Sequence, residues 1–284
     1  MVYYKPQACK LFVVNCNNMP RDFLNKSLSL ILKRQTNILS AAFIIMITIV
    51  LSQILGLVRQ RLLVGIFGAS DTLGIYLASS RLPDFLFQIT IAGALSSAFI
   101  PVFSQYLVKE NKNDAYKLGS TLFILGLLSF SVLSLILFIF ANDFLRLMAP
   151  GLSIDHITLM ASLMKIIIFG ELLFIVGSFL SVTLQSYNHF FIPGIASAFY
   201  NLGIIIGILI LHPFIGIFSA AYGVILGSAI FVLVQLPKIK NIGFSFLPTF
   251  SLKTTGVLEV IKLMWPRTLS IAIFQTGTIL TFTL

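Results

Sequence analysis

Acidic side chains are scarce in this sequence: nine Asp and Glu stand against nineteen Lys and Arg, and charged residues of both signs fill 10% of the 284 positions. Soluble domains carry roughly 25% charged residues, so the composition excludes an ordinary water-soluble fold. Cysteine is nearly absent. The two present, Cys9 and Cys16, lie in the polar N-terminal stretch with no CxxC spacing and no neighbouring histidine. They read as free thiols rather than as a metal site or a disulfide. The three histidines, His156, His189 and His212, fall in different loops. Without clustered histidines or carboxylates, a membrane-embedded enzyme has no group for metal or acid–base work. No catalytic residue, metal ligand or cofactor is therefore expected. The surplus of +10 would point to nucleic acid in a soluble chain. Here the positions of the charges matter more than their sum, and no nucleic-acid partner is expected.

Apolar residues are what the chain has in abundance: 58% are hydrophobic and the mean hydropathy is +1.02. Runs of about 20 apolar residues cross roughly 30 Å of hydrocarbon as helices. Seven such runs can be traced, at 38–58, 72–107 (long and interrupted), 118–141, 157–185, 190–211, 214–236 and 258–284. The fold class is all-α, a polytopic transmembrane helical bundle. No repeat and no low-complexity stretch appears. The first run is too far from the terminus for a cleaved signal peptide, and no A-x-A site follows it.

Lysine and arginine in short loops set the orientation. Lys5, Lys10, Arg21, Lys26, Lys33 and Arg34 precede the first run. Lys109, Lys112 and Lys117 follow the second, and Lys238, Lys240 and Lys253 follow the sixth. All three groups fall on one side. The other side has mainly Arg59, Arg61 and Arg146, with Asp143 and Asp155 nearby. The count predicts a cytoplasmic N-terminus. Residues 1–36 form a polar cytoplasmic tail and 37–284 the transmembrane unit.

Within the second run, the stretch LASSRLPDFLFQITIAGALSSAFIP puts Arg81, Pro83 and Asp84 in a span that should avoid all three. On a helix Arg81, Asp84 and Gln88 share one face. Charges at membrane depth normally face a bundle interior or a watery cavity, and a proline kink is tolerated there. Gly93, Ala94, Ser96 and Ser97 permit close approach of another helix. Two readings stand: a polar cavity lined by a broken helix, or an Arg81–Asp84 pair that neutralises itself or snorkels. At the end of the first run, Arg59 and Arg61 are two positions apart and point to different faces. Arg61 reads as a snorkelling residue. Arg59 is either that or a ligand for an anionic head group, to which its planar fork is suited.

GLVRQRLLVGIFGAS, SRLPDFL and GALSSAFIPVFSQYL, in that order, resemble the first two helices of the MurJ (MviN) lipid II flippases. The likeness continues through LQSYNHFFIPGIASAFYNLG, VQLPKIKNIGFSFLP and KLMWP with Gln275, covering about Ile38 to Leu284. The resemblance implies one lobe, about seven helices, of a two-lobe exporter of the multidrug/oligosaccharidyl-lipid/polysaccharide superfamily in the bacterial inner membrane. It implies alternating access around a cationic cavity. The implied cargo is the undecaprenyl-pyrophosphate-linked peptidoglycan precursor, with membrane lipids as the other partner. Arg59 matches the arginine of the family's G-x-x-R-D stretch and Arg81 the basic residue of its K/R-L-P-N stretch. Arg59, Arg81, Asp84 and Gln88 are the implied substrate-binding set.

The departures are specific. Gln53 and Gly74 stand where the family has an arginine and an aspartate, and Phe87, Gln88 and Ala92 replace a basic pair and an acid. Fewer cations in the cavity, another polyprenyl-linked polysaccharide as cargo, and loss of transport are all consistent with these changes. The family has about fourteen spans, and this chain ends within the seventh at GTILTFTL. A truncated or split reading frame is the expectation, with a separately encoded second lobe as a further partner. Glu171, beside Gly170, is either an ion-coupling carboxylate or one that pairs with a neighbouring helix or sits protonated. Lys165 reads as snorkelling and Arg267 as an interfacial anchor. Pro193 and Asn201 match the family pattern, where helix bending and interhelical hydrogen bonding suffice to explain them.

Overall fold

The structure, a computed structural model, describes residues 38–92, 98–109, 111–247 and 256–283. The N-terminal tail with Cys9 and Cys16, the small residues Gly93, Ala94, Ser96 and Ser97, and Lys253 lie outside the described residues. Nine α-helices and no strand occur among the described residues: α1 (Ile38–Phe67), α2 (Asp71–Phe87), α3 (Ile100–Val108), α4 (Lys112–Ile139), α5 (Ala141–Met148), α6 (Ile154–Ser186), α7 (Phe191–Ile215), α8 (Phe218–Asn241) and α9 (Val257–Thr283). Five of them, α1, α4, α6, α7 and α8, are long and apolar enough to cross a membrane. This is a multi-pass membrane protein. The second predicted run is split: α2 passes into a π-helical turn, Gln88–Ala92, and α3 follows. α9 occupies the seventh.

Local chemistry sets the boundaries. Ser70 caps α2, its hydroxyl accepting from the Leu73 amide at 3.4 Å, with Asp71 in the first turn. Ser153 caps α6 in the same way, accepting from the His156 amide, with Asp155 following. Each cap satisfies one of the orphan amides of a helix start, and the acid complements the helix dipole. Asn111 caps α4 and also donates from Nδ2 to Asp114 at 2.6 Å. His156 thus lies in the first turn of α6 and His212 in the last turn of α7. Both were placed in loops by the sequence pattern; capping residues extend the helices past the apolar runs. Pro193 sits in the first turn of α7, where a missing amide hydrogen costs nothing, so it need not bend the helix.

The bundle is held by close helix contacts. A Cβ on Gly207 of α7 would lie 2.5 Å from the Cα of Gly223 on α8, and one on Gly203 would lie 2.6 Å from the Cα of Gly227. The glycines are four apart on each helix, the spacing that lets two backbones touch in a membrane. Gly194 of α7 is pressed against Thr48 of α1, and Gly177 of α6 against Phe231 of α8. Asn201 of α7 donates to the Ser52 carbonyl of α1 at 3.2 Å and to its hydroxyl at 3.3 Å. The outward face of α1 stays apolar and open, with Leu39, Phe43, Met46 and Leu57 all more than half exposed. That surface suits hydrocarbon.

The two ends differ in charge. Tyr116 donates to the Gly243 carbonyl at 2.9 Å, and the Leu247 amide to Ser120 at 3.0 Å. Phe244 packs its ring against Phe103, Tyr116 and Phe179. These contacts fasten the segment after α8 to the start of α4, so Lys112 and Lys117 share an end with Lys238 and Lys240. At the other end Phe67 meets His212 edge-on at 5.0 Å, and the α1–α2 link lies beside α5 and the start of α6.

Candidate functional site

Four helices bring polar groups together in the middle of the bundle. Arg59 comes from α1, Tyr76 and Asp84 from α2, Glu171 from α6 and Tyr200 from α7. The carboxyls of Asp84 and Glu171 meet each other. Arg59 acts electrostatically on Asp84, Tyr76 and Tyr200, and Glu171 on Tyr200. Glu171 is 5% exposed, and its Oε2 has no hydrogen-bond partner among the described residues. The Nε of half-buried Arg59 is likewise buried without one. Tyr76 is buried, while Asp84 and Tyr200 are half-buried.

The packing explains the convergence. Gly170 lies against Val224 of α8, where a Cβ would come within 2.7 Å of the valine side chain. This seats α6 deep in the bundle, and the next residue, Glu171, is carried inward toward α2. One turn further along α6, Phe174 stacks on Phe231 at 4.9 Å and meets Tyr200 at 4.8 Å and Phe87 at 5.3 Å. This aromatic group lies on the lysine-end side of the carboxyls. Beyond it is an open groove of about 390 Å³ bordered by Thr48, Phe87, Ser178, Gln185 and Ser197.

The residues singled out from sequence part company. Arg81 is exposed and borders Asp84, but it also lines a cavity of about 670 Å³ at the opposite end, with Asp71, Met148, Leu152 and His156. Asp84 turns to α6. Gln88, in the π-helical turn, accepts a hydrogen bond from Gln275 of α9. One helical face thus meets three different neighbours. Arg61 is exposed beside Leu57, Val58 and Leu62 on the outer surface of α1. Lys165 lies with its Nζ 5.0 Å from the centre of the Phe138 ring, and Arg267 is exposed.

Tyr76 and Tyr200 were missed by the sequence reading. Their only signal is a tyrosine within an otherwise apolar span, and Tyr200 directly precedes Asn201. No group of three or more His, Cys, Asp or Glu gathers to hold a metal ion among the described residues.

This arrangement resembles known proteins along most of the chain. The family described as lipid II flippase MurJ matches residues 63–284. A probable lipid II flippase MurJ of Buchnera aphidicola subsp. Baizongia pistaciae is 32% identical over 253 residues, covering 86% of this chain and 48% of that protein. One from Thermotoga maritima is also 32% identical, covering 81% and 46%. The chain spans about half the length of these curated relatives. A solved structure of lipid II flippase MurJ in an inward closed conformation superposes with a TM-score of 0.67 at 25% identity, covering 85% of this chain and 50% of that one. A Vibrio cholerae MATE transporter gives the same TM-score at 14% identity, covering 88% and 55%, a likeness of fold alone. By sequence and by fold, this chain belongs to the MurJ lipid II flippase family.

Proposed function

We propose that the chain is the first lobe of a flippase that carries the undecaprenyl-pyrophosphate-linked peptidoglycan precursor outward across the bacterial inner membrane. It acts with a second lobe, in the same or a separate polypeptide, because alternating access needs one bundle rocking against another. No covalent bond is made or broken; the work is binding and movement. The N-terminus is cytoplasmic, since the lysine end of the bundle belongs on the cytoplasmic side.

The observation that carries this reading is Arg59, held between α1 and α2 with a buried Nε that no described group satisfies. A guanidinium at that depth, with its Nε unsatisfied, is suited to a pyrophosphate while the polyprenyl tail stays in lipid. Arg81 is the second cation, lining the cavity at the far end; Asp84 borders both arginines, and Gln88 is a further polar contact along the same helix. Gln53, Gly74 and Phe87 carry no charge, so Arg59 and Arg81 bear more of the charge balance.

The test is binding of the lipid-linked pyrophosphate to the chain joined to a second lobe in vesicles. A charge-assisted contact contributes roughly 1.5–3 kcal/mol, and 1.4 kcal/mol is about tenfold in affinity. Arg59→Ala and Arg81→Ala should therefore each weaken binding by about tenfold or more. Lysine should restore only part, as it lacks the planar fork. Arg61→Ala should bind like the unmodified protein. Unchanged binding in the first two variants with loss in the third would place the cavity on the wrong face.

A further inference from the structure

We propose that Asp84 and Glu171 together bind one proton inside the bundle, with Arg81 and Arg59 as the neighbouring cations. The site shares Arg59 and Asp84 with the proposed cargo lining, yet it is defined by the meeting of two carboxyls from different helices and by what surrounds them. Glu171 is 95% buried by its exposure of 5%, and its Oε2 has no partner among the described residues. Two carboxylates that touch in a poorly solvated site cannot both stay ionised, and a shared proton relieves the repulsion.

The charged and titratable groups facing the pair can be named helix by helix. α1 supplies Arg59, and α2 supplies Tyr76 and Arg81. α7 supplies Tyr200. α8 packs beside Glu171 through Val224, which is apolar. Arg81 and Arg59 both act on Asp84, Arg81 the more strongly, while Glu171 faces Asp84 itself. With one proton on the pair, Glu171 needs no cation of its own; with none, its carboxylate is buried against that of Asp84. Proton loss therefore changes the net charge at the contact between α2 and α6.

A metal ion fits this site poorly. Hard cations take about six or more oxygen ligands, and only two carboxyls meet here. The adjoining guanidinium repels a second fixed cation. A proton needs neither the ligand number nor the space. Phe174, Phe87, Tyr200 and Phe231 pack together on the side of the pair that faces the groove at the lysine end.

The test is infrared spectroscopy of the full chain in lipid vesicles, which reads protonation without any cargo. The unmodified chain should show a protonated-carboxyl carbonyl band at neutral pH that disappears reversibly in alkaline buffer and is indifferent to sodium. Isotope labelling of aspartate alone and of glutamate alone should each shift that band, which assigns it to both residue types; substitution then identifies the residues. Asp84→Asn and Glu171→Gln keep the side-chain shapes, and each should move the band and the pH at which it disappears. Absence of the band in the unmodified chain overturns the proposal. So does a band left unchanged in either folded variant, one that responds to only one of the two labels, or one displaced by sodium at constant pH. Failure of Arg59→Ala to weaken lipid binding would leave this result untouched.

Discussion

Ser181 and Gln235 are joined across the interface of α6 and α8, the serine hydroxyl donating to the glutamine Oε1 at 2.9 Å. The Nε2 of the same glutamine donates to the carbonyls of Gly177 at 3.1 Å and Phe231 at 2.8 Å. Gln235 is fully buried, so every one of these bonds is made away from water. Gly177 has no side chain to hold the helices apart, so Phe231 and Gln235 of α8 reach the α6 backbone.

Gln235→Leu should destabilise the folded chain by about 1–2 kcal/mol, since it leaves the Ser181 hydroxyl buried without its acceptor. The measurement is unfolding of the detergent-solubilised protein, followed by loss of helical signal. Leu233→Ala, on the exposed side of the same helix, serves as the comparison and should unfold close to the unmodified protein.

Gly207→Val should cost more. The added side chain runs into the backbone of Gly223, and forcing bulk into a packed contact costs typically about 1–3 kcal/mol. Gly65→Ala, where nothing lies within 4 Å of the new Cβ, should not lower the unfolding midpoint. If both variants unfold alike, backbone contact between α7 and α8 is not what holds that pair.

Asn201→Ala should loosen α1 from α7 by less, because single interhelical hydrogen bonds in membranes average about 0.6 kcal/mol and reach about 1.7. A double-mutant cycle with Ser52→Ala isolates the side-chain part of the tie. The amide also bonds the Ser52 carbonyl, which survives the serine change. The coupling should therefore be smaller than the full effect of Asn201→Ala.

Orientation is checked by labelling. In a background lacking Cys9 and Cys16, Lys112→Cys should react only with reagent applied to the cytoplasmic face and Arg146→Cys only with reagent applied outside. The reverse pattern would invert the assignment of the lysine end.

The order of the helices was legible because hydrocarbon thickness imposes a length on apolar runs: each of the seven predicted runs has a helical counterpart, and five of these are long and apolar enough to cross a membrane. Capping residues lie beyond the apolar core, so the true ends were less visible: α6 begins at Ile154 and α4 at Lys112, each a few residues before the apolar run suggests. The interhelical bond of Asn201 was also legible, as an amide in an apolar helix needs a partner. The glycine contacts of α7 and α8 were not read, since glycine is common in membrane helices and its spacing does not name the helix it will meet.

By itself the sequence determined the solvent, the helical class and the charged end, because these follow from composition and the cost of placing charge or bare backbone in lipid. It also supplied the ordered motifs that mark the family. Where each polar side chain points depended on which helix packs against which. Arg81, Asp84 and Gln88 share a face on paper, yet they meet an end cavity, α6 and α9 in turn. Glu171 acquires a partner where α6 packs against α2, while its neighbour Gly170 lies against α8. A pairing between residues 87 positions apart in sequence is set by packing, and no local periodicity encodes it.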